Sequence, residues 1–212
     1  MTAEARFYLL TPRLGAWDDF APLLSQALST RAVACVLARV AEMDETSAKR
    51  VLQPLAKLAQ GACAAFLVEG DSRLAAYIGA DGVHLPAPGE ALDEALRKWK
   101  PDGIVGTGGL RTRDDAMNAG EGGVDYILFG EPKADGFVPP AEGTAERVEW
   151  WAQIFNLPCV AFAGHAGDVA ILAAAGADFI APGDWLWSDP AQVASAMKLA
   201  CAAVAAHPLP TA

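Results

Sequence analysis

The chain has 212 residues, of which 53% are hydrophobic, and a formal net charge of −10 with a pI near 4.7. That length supports one sizeable core, so residues 1–212 are read as a single domain, and no apolar run approaches the roughly 18 residues that span a bilayer. The acidic balance argues against nucleic-acid and anionic-membrane partners, and an anionic ligand would need a local site against that field.

Met1-Thr2-Ala3-Glu4-Ala5-Arg6 reads straight into a strand without signal-peptide architecture, which predicts a cytoplasmic protein. Phe7-Tyr8-Leu9-Leu10-Thr11, closed by Pro12, is the continuous apolar run of a strand buried on both faces. Asp18 is expected to cap a helix over 19–30 with Phe20, Leu23, Leu24 and Leu28 on one stripe. Strand two covers 33–38 and ends at Arg39; a helix over 45–60 follows, where Pro54 predicts a kink or break. Strand three covers 63–68, ending at Glu69-Gly70. A helix from Asp71 to Ile78 stops at Gly79, because glycine accepts the left-handed conformation that helix ends often need. Strand four then leads through His84-Leu85 into the loop Pro86-Ala87-Pro88-Gly89.

A helix over 90–99 and a strand over 103–106 come next, and Thr112 caps a helix running to about 119. Strand six covers 124–129, and 131–140 is the longest irregular stretch. Helices over 143–155 and 167–175 flank strand seven, 159–162, and strand eight is 178–181. The Ala-rich tail over 190–206 is the closing helix, with Pro190 in its first turn. A helix-turn-strand signal recurs at Gly79-Ala80-Asp81, Gly122-Gly123-Val124-Asp125 and Gly176-Ala177-Asp178, with a shorter form at Pro101-Asp102-Gly103. Cys35, Cys63, Cys159 and Cys201 are far apart in apolar runs, which predicts buried thiols rather than disulfides or a zinc site.

Eight strands alternating with eight helices must be parallel, with right-handed crossovers, and predict a closed (β/α)8 TIM barrel. An open doubly wound sheet would carry a Gly-rich fingerprint after its first strand, and Thr11-Pro12-Arg13-Leu14-Gly15 has none. In such barrels the site lies where strands end and the loops to the helices begin. The titratable residues there are Arg13, Arg39, Glu69, Asp71, Arg73, His84, Arg111, Arg113, Glu131, Lys133, His165 and Asp184.

His84 and His165, two of three histidines, both fall at strand ends. His84 is read either as a catalytic group or as a satisfied structural residue, and His165 as a ligand contact or a cap. Arg39 is the best cation for a phosphate, or else pairs with Glu42 or Glu69. Glu131 is a general base if burial raises its pKa, or an exposed loop carboxylate. Gly164 and Gly183, after strands seven and eight, permit close approach of a phosphate to the backbone, with His165 and Lys133 nearby. Asp184 would repel an anion if it pointed inward. No spacing for a metal-ligand cluster, Walker loop or serine nucleophile occurs. Trp185 and Trp187 could wall a pocket, plug the barrel mouth or face a subunit partner, so a homo-oligomer is left open.

Phe7-Tyr8-Leu9-Leu10-Thr11, Gly79-Ala80-Asp81-Gly82-Val83-His84-Leu85, Val124-Asp125-Tyr126-Ile127-Leu128-Phe129-Gly130 and the run 172–178 resemble the thiamine phosphate synthase and thiazole tautomerase (TenI-like) superfamily. The likeness covers about 7–190. It implies a (β/α)8 barrel of thiamine biosynthesis that binds a phosphorylated small molecule. The synthases join a hydroxymethylpyrimidine pyrophosphate to a thiazole phosphate using magnesium, and the tautomerases isomerise a thiazole phosphate carboxylate.

Several family positions differ. The Gly-Gln-x-x-Asp after the His-Leu is Pro86-Ala87-Pro88-Gly89 here, and the Asn-Asp-Arg after strand three falls on Glu69-Gly70-Asp71, so both magnesium aspartates are missing. Of Gln-x-Arg-x-Lys only Arg39 keeps a charge; Gly-x-Ser-x-His becomes Gly106-Thr107-Gly108-Gly109-Leu110. Pro-Thr-x-x-Lys has no match in 131–136, although Lys133 is near, and of the Gly-Gly pair after strand seven Gly164 remains. Pyrophosphate departure needs metal and cations in a preorganised site, so these losses count against full synthase turnover. Magnesium is expected only if that activity is retained. Where tautomerases commonly carry a His after the Gly of strand six, Glu131 stands, and a carboxylate can shuttle a proton. The alternative is a catalytically inactive barrel acting as a binding or regulatory module.

Overall fold

The first strand pairs with the last, so no sheet edge is left open: a computed structural model describing residues 4–16, 19–133 and 135–209 contains a closed barrel in strand order β1 to β8, every pairing parallel. In chain order the elements are β1 (Arg6–Leu14), α1 (Ala21–Leu28), β2 (Val33–Val40), α2 (Glu45–Gly61), β3 (Ala65–Glu69), α3 (Ser72–Ile78), β4 (Gly82–Leu85) and α4 (Glu90–Trp99). The second half comprises β5 (Ile104–Thr107), α5 (Arg113–Glu121), β6 (Tyr126–Phe129), α6 (Ala141–Ile154), β7 (Cys159–Ala163), α7 (Asp168–Ala174), β8 (Phe179–Pro182) and α8 (Val193–Ala205). A single 3-10 turn, Asp184–Leu186, separates the last two. The (β/α)8 TIM barrel expected from the alternation is the fold. Among the described residues no helix is long and apolar enough to cross a membrane.

Alternation along the strands sorts the side chains into two cores. Tyr8, Leu10, Cys35, Leu37, Leu67, Tyr126, Leu128 and Val160 fill the barrel, whereas Leu9, Val36, Phe66, Ile127 and Ile180 pack outward against the helices. The repeated Gly-x-Asp signal has a structural cause. Gly79, Gly123 and Gly176 adopt φ of 74°, 95° and 91°, turning the chain out of its helix. The aspartate that follows then reaches across to the preceding strand. Asp81, Asp125 and Asp178 accept hydrogen bonds from the backbone amides of Phe66, Val105 and Cys159 at 2.7, 2.7 and 2.8 Å. Each satisfies a buried amide at the N-terminal end of the barrel, the end that serves stability. The shorter signal at Asp102-Gly103 makes no such bond among the described residues; there the Gly103 amide bonds the Trp99 carbonyl.

Some boundaries differ from expectation. β1 continues through Pro12 to Leu14, and the register against β2 shifts between Leu10 and Arg13, so the missing proline N–H is absorbed at an irregularity. α2 runs through Pro54, so of the expected kink or break the break does not occur. Strand three begins at Ala65 because Cys63 sits at φ 60° in the turn before it, which also leaves Cys63 exposed; Cys35 and Cys159 are buried and Cys201 half-buried. α8 starts at Val193, so Pro190 lies before the helix and not in its first turn. The expected cap Asp18 lies outside the described residues. Trp187 is buried edge-on against Phe20 with its indole N–H on the Leu10 carbonyl at 2.8 Å, and Trp185 donates to the Ala163 carbonyl at 2.9 Å. Trp187 therefore seals the barrel wall and presents no surface to a partner.

Candidate active site

His84 stands inside the C-terminal rim of the barrel because it is two residues beyond Gly82 on a strand whose alternate positions point inward. It is 4% exposed. Its Nδ1 lies 2.9 Å from the Tyr126 hydroxyl, which lies 2.6 Å from the Tyr8 hydroxyl on the far side of the barrel. The imidazole and the Tyr126 ring stack with an interplanar angle of 19°. Burial pushes the His84 pKa down to about 3, so the ring is neutral at physiological pH. Burial likewise raises the pKa of both tyrosines well above the ordinary range, and they keep their protons.

Glu131 is half-buried at the end of β6, not the exposed loop carboxylate of the alternative reading. One carboxylate oxygen accepts the Gly109 amide. Burial raises its pKa above the usual carboxylate range, opposed by that hydrogen bond and by the positive charge of Arg147. Arg147, on α6, donates to the Leu110 carbonyl at 2.8 Å and lies 4.5 Å over the Phe129 ring. Glu131 and Arg147 thereby hold the segment 108–110 against the end of β6. A Cβ built on Gly108 would lie 2.6 Å from Glu131 Oε1 and 3.3 Å from His84 Nε2. The two proton-carrying side chains flank one point, and the absence of a side chain at Gly108 keeps that point open.

The cations are differently placed. Arg39 donates from Nε to the Thr11 carbonyl at 2.6 Å and pairs with Asp184 at 3.4 Å, rather than with Glu42 or Glu69. Its guanidinium is mostly buried, while Asp184 is 85% exposed and so does not point into the barrel. Glu69 belongs to Arg13, 3.1 Å away. Lys133 is exposed and lies over the Phe137 ring of its own loop, 4.9 Å from the centroid, so it is not brought to His84. At the turns after β7 and β8, the expected phosphate position, the Gly183 amide is taken by the Ala163 carbonyl and the His165 amide by Asp168. The His165 ring is exposed, 3.6 Å from Asp168. Gly164 is crowded by Val138 of the 131–140 loop, whose side chain lies 2.9 Å from where a Cβ would stand. Sequence reasoning thus located His84, Glu131 and Arg39 on the rim but missed Tyr126, Tyr8 and Arg147. Tyr8 and Tyr126 were detectable by alternation, since each is inward on its strand.

Among the described residues no group of three or more His, Cys, Asp or Glu side chains could hold a metal ion, and the positions matched to the family's magnesium aspartates supply no such set. Asp71 is spent as the N-cap of α3, accepting the Arg73 and Leu74 amides, and Glu69 is paired with Arg13. Gly70 adopts φ 74°, a conformation that a carboxylate side chain would strain, and 86–89 offers no carboxylate. An open groove of about 760 Å³ lies at the opposite, N-terminal end between Cys63, Asp81, Trp99 and Asp102. Its two lysines are engaged structurally, Lys98 with Glu94 and Lys100 with Asp125, and Asp81 holds the Phe66 amide.

The fold and this rim define a (β/α)8 barrel with titratable groups gathered at the C-terminal ends of its strands. The family model described as thiamine monophosphate synthase matches residues 7–183, and the chain belongs to the thiamine phosphate synthase/TenI-like family. It is 36% identical over 196 residues to the thiamine-phosphate synthase of Rhodospirillum centenum, covering 92% of this chain and 95% of that one. It is 34% identical to the thiamine-phosphate synthase of Erythrobacter litoralis, covering 86% and 88%. Among solved structures, the thiamine phosphate pyrophosphorylase from Pyrococcus furiosus superposes with a TM-score of 0.78 at 22% identity, covering 95% and 96%, a likeness of fold.

Proposed function

We propose that the C-terminal rim binds a phosphorylated thiazole-type ligand of thiamine biosynthesis, that His84 and Glu131 manage a proton beside it, and that full synthase turnover is lost. The observation that carries this reading is the convergence of His84 Nε2 and Glu131 Oε1 on the open face of Gly108. A carboxyl of raised proton affinity can take and return a proton near neutral pH, and a neutral imidazole beside it can donate a hydrogen bond to the ligand while that proton moves. Arg39 supplies the phosphate cation once Asp184, which is exposed, swings away; Gly164 and Gly183 line the approach, and His165 and Lys133, whose side chains lie out in solvent, would have to turn inward to reach it. Loss of the metal aspartates leaves the departing pyrophosphate without its neutralising partner, which is the argument against synthase turnover. The cytoplasmic, single-domain reading of the chain accompanies this proposal, and any homo-oligomer would use surfaces other than Trp187.

A thermal-shift screen tests it. Thiazole phosphate should raise the melting temperature whether magnesium is present or chelated. Stabilisation by the pyrimidine pyrophosphate only with magnesium would restore the synthase. The engagement of Arg13 and Arg39 by carboxylates favours a second reading, a catalytically inactive binding module, and no response to any phosphate would sink both enzymatic forms.

A further inference from the structure

A chain of three buried polar groups crosses the barrel beneath the rim: Tyr8, Tyr126 and His84, which are 2%, 6% and 4% exposed. His84 on β4 and Tyr126 on β6 flank β5, and their rings can meet because β5 carries Gly106 between them. A Cβ on Gly106 would lie 2.0 Å from Tyr126 Cζ and 2.5 Å from its hydroxyl. Among the described residues, His84 Nε2 has no hydrogen-bond partner, and the Tyr8 hydroxyl has no oxygen or nitrogen partner besides Tyr126.

These facts fix the direction of the proton chain. Each hydroxyl has one proton to give, and the neutral imidazole has one N–H between two nitrogens. If Nδ1 carried it and donated to Tyr126, Tyr126 would donate to Tyr8. Tyr8 would then be left with a buried O–H facing at best the weakly accepting sulfur of Cys35, its cross-strand neighbour. In the opposite direction both hydroxyl protons are spent, Tyr8 O–H on the Tyr126 oxygen and Tyr126 O–H on Nδ1, and the one N–H left over is at Nε2, facing the open point beside Gly108. An imidazole nitrogen is also a far stronger base than a phenol oxygen, which makes the second direction the stronger pairing.

We propose that Tyr126, backed by Tyr8, is a positioning residue that fixes His84 as the Nε2–H tautomer and aims that N–H at the point beside Gly108. The tautomer stands on geometry alone; what the N–H does to a thiazole-type ligand rests on the reading given under Proposed function. There His84 is a hydrogen-bond donor to a ligand acceptor, and Glu131, opposite, is the group that takes or returns the proton. The two roles differ because imidazole and carboxyl are buried in different surroundings.

Two-bond 1H–15N correlation spectra of the 15N-histidine-labelled protein at neutral pH test the assignment. The expected wild-type result is a protonated Nε2 and an Nδ1 resonance displaced by hydrogen bonding. Tyr126→Phe should return Nδ1 to the unbonded position and let both tautomers populate. Tyr8→Phe should leave Nε2 protonated, since Tyr126 still donates, and thermal denaturation confirms that both variants are folded. A wild-type ring protonated on Nδ1, or an Nδ1 resonance unmoved by Tyr126→Phe, overturns the proposal. Titration of the same samples with thiazole phosphate reads the role: Tyr126→Phe should weaken binding about tenfold. If the tautomer is as stated but wild-type resonances ignore thiazole phosphate, the functional reading fails while the positioning stands; if wild type binds and Tyr126→Phe binds equally well, the positioning role fails.

Discussion

Gly108→Ala is the most informative single change at the rim. Its φ is not in the left-handed region, so alanine fits the backbone, and the whole effect comes from the added methyl. That methyl would stand 2.6 Å from Glu131 Oε1 and 3.3 Å from His84 Nε2. Glu131 sits at the end of a rotatable side chain and must swing out, giving up the Gly109 amide. A hydrogen bond to a charged group contributes about 1.5–3 kcal/mol, but the released carboxylate regains hydration, so a net loss of about 1 kcal/mol is expected. For a chain of this size that lowers the melting temperature by about 2–4 °C. Gly106→Ala is the contrasting control. Its methyl meets the Tyr126 ring 2.0 Å away inside the packed barrel, where no side chain can swing clear, and overpacking of that kind costs about 1–3 kcal/mol or more. Thermal denaturation, the Gly109 amide resonance and calorimetric titration with thiazole phosphate are the assays. Gly108→Ala should fold, shift the Gly109 amide and lose at least tenfold in affinity; Gly106→Ala should be the less stable of the two. A Gly108→Ala protein with wild-type affinity and an unmoved Gly109 amide would refute the placement of the site.

His84→Gln should flatten the acid limb of stability. The folded pKa of about 3 lies below the unfolded value of about 6.5, so the unfolded chain binds the extra proton between them, and stability falls as pH drops through that window. One proton gives a slope of about 1.4 kcal/mol per pH unit, and melting curves from pH 7 to pH 4 should lose that slope in the variant. Glu131→Gln has the opposite sign: the folded pKa is raised, so the stabilising contribution present below about pH 4.5 is lost as pH rises through the folded value. The variant should therefore melt higher than wild type at pH 7 and no higher at pH 4. Asp184→Asn frees Arg39 from a pair whose carboxylate is exposed, a contact contributing about 0–1 kcal/mol, so thiazole phosphate should bind up to about fivefold tighter by calorimetry. Asp81→Ala strands the buried Phe66 amide and should cost about 1–3 kcal/mol in denaturant unfolding, with Asp81→Asn close to wild type because its amide oxygen still accepts.

The architecture was legible where one local rule decided the outcome. Gly79 stops α3 in the left-handed region, Thr112 caps α5 by its own side chain, and eight helix-strand alternations leave few topologies open. The family strings around His84 and Tyr126 placed the rim as well. What escaped depended on partners distant in sequence. Arg39 takes Asp184, 145 positions away, and Trp187 takes the Leu10 carbonyl, 177 positions away, contacts that only barrel closure creates. Tyr126 falls in a string shared with the family, yet nothing local marks it, because its importance lies in the Tyr8 hydroxyl across the barrel. Lys133 and His165 looked like rim ligands from their positions after strands six and seven, but their side chains lie out in solvent, beyond what strand-end counting can decide.

Incubating the protein with hydroxymethylpyrimidine pyrophosphate, thiazole phosphate and magnesium, and quantifying thiamine phosphate by chromatography, tests the account most directly. With Asp71 capping α3, Glu69 paired to Arg13 and no carboxylate in 86–89, the account predicts no product while thiazole phosphate still stabilises the fold. Steady, magnesium-dependent formation of thiamine phosphate would contradict it.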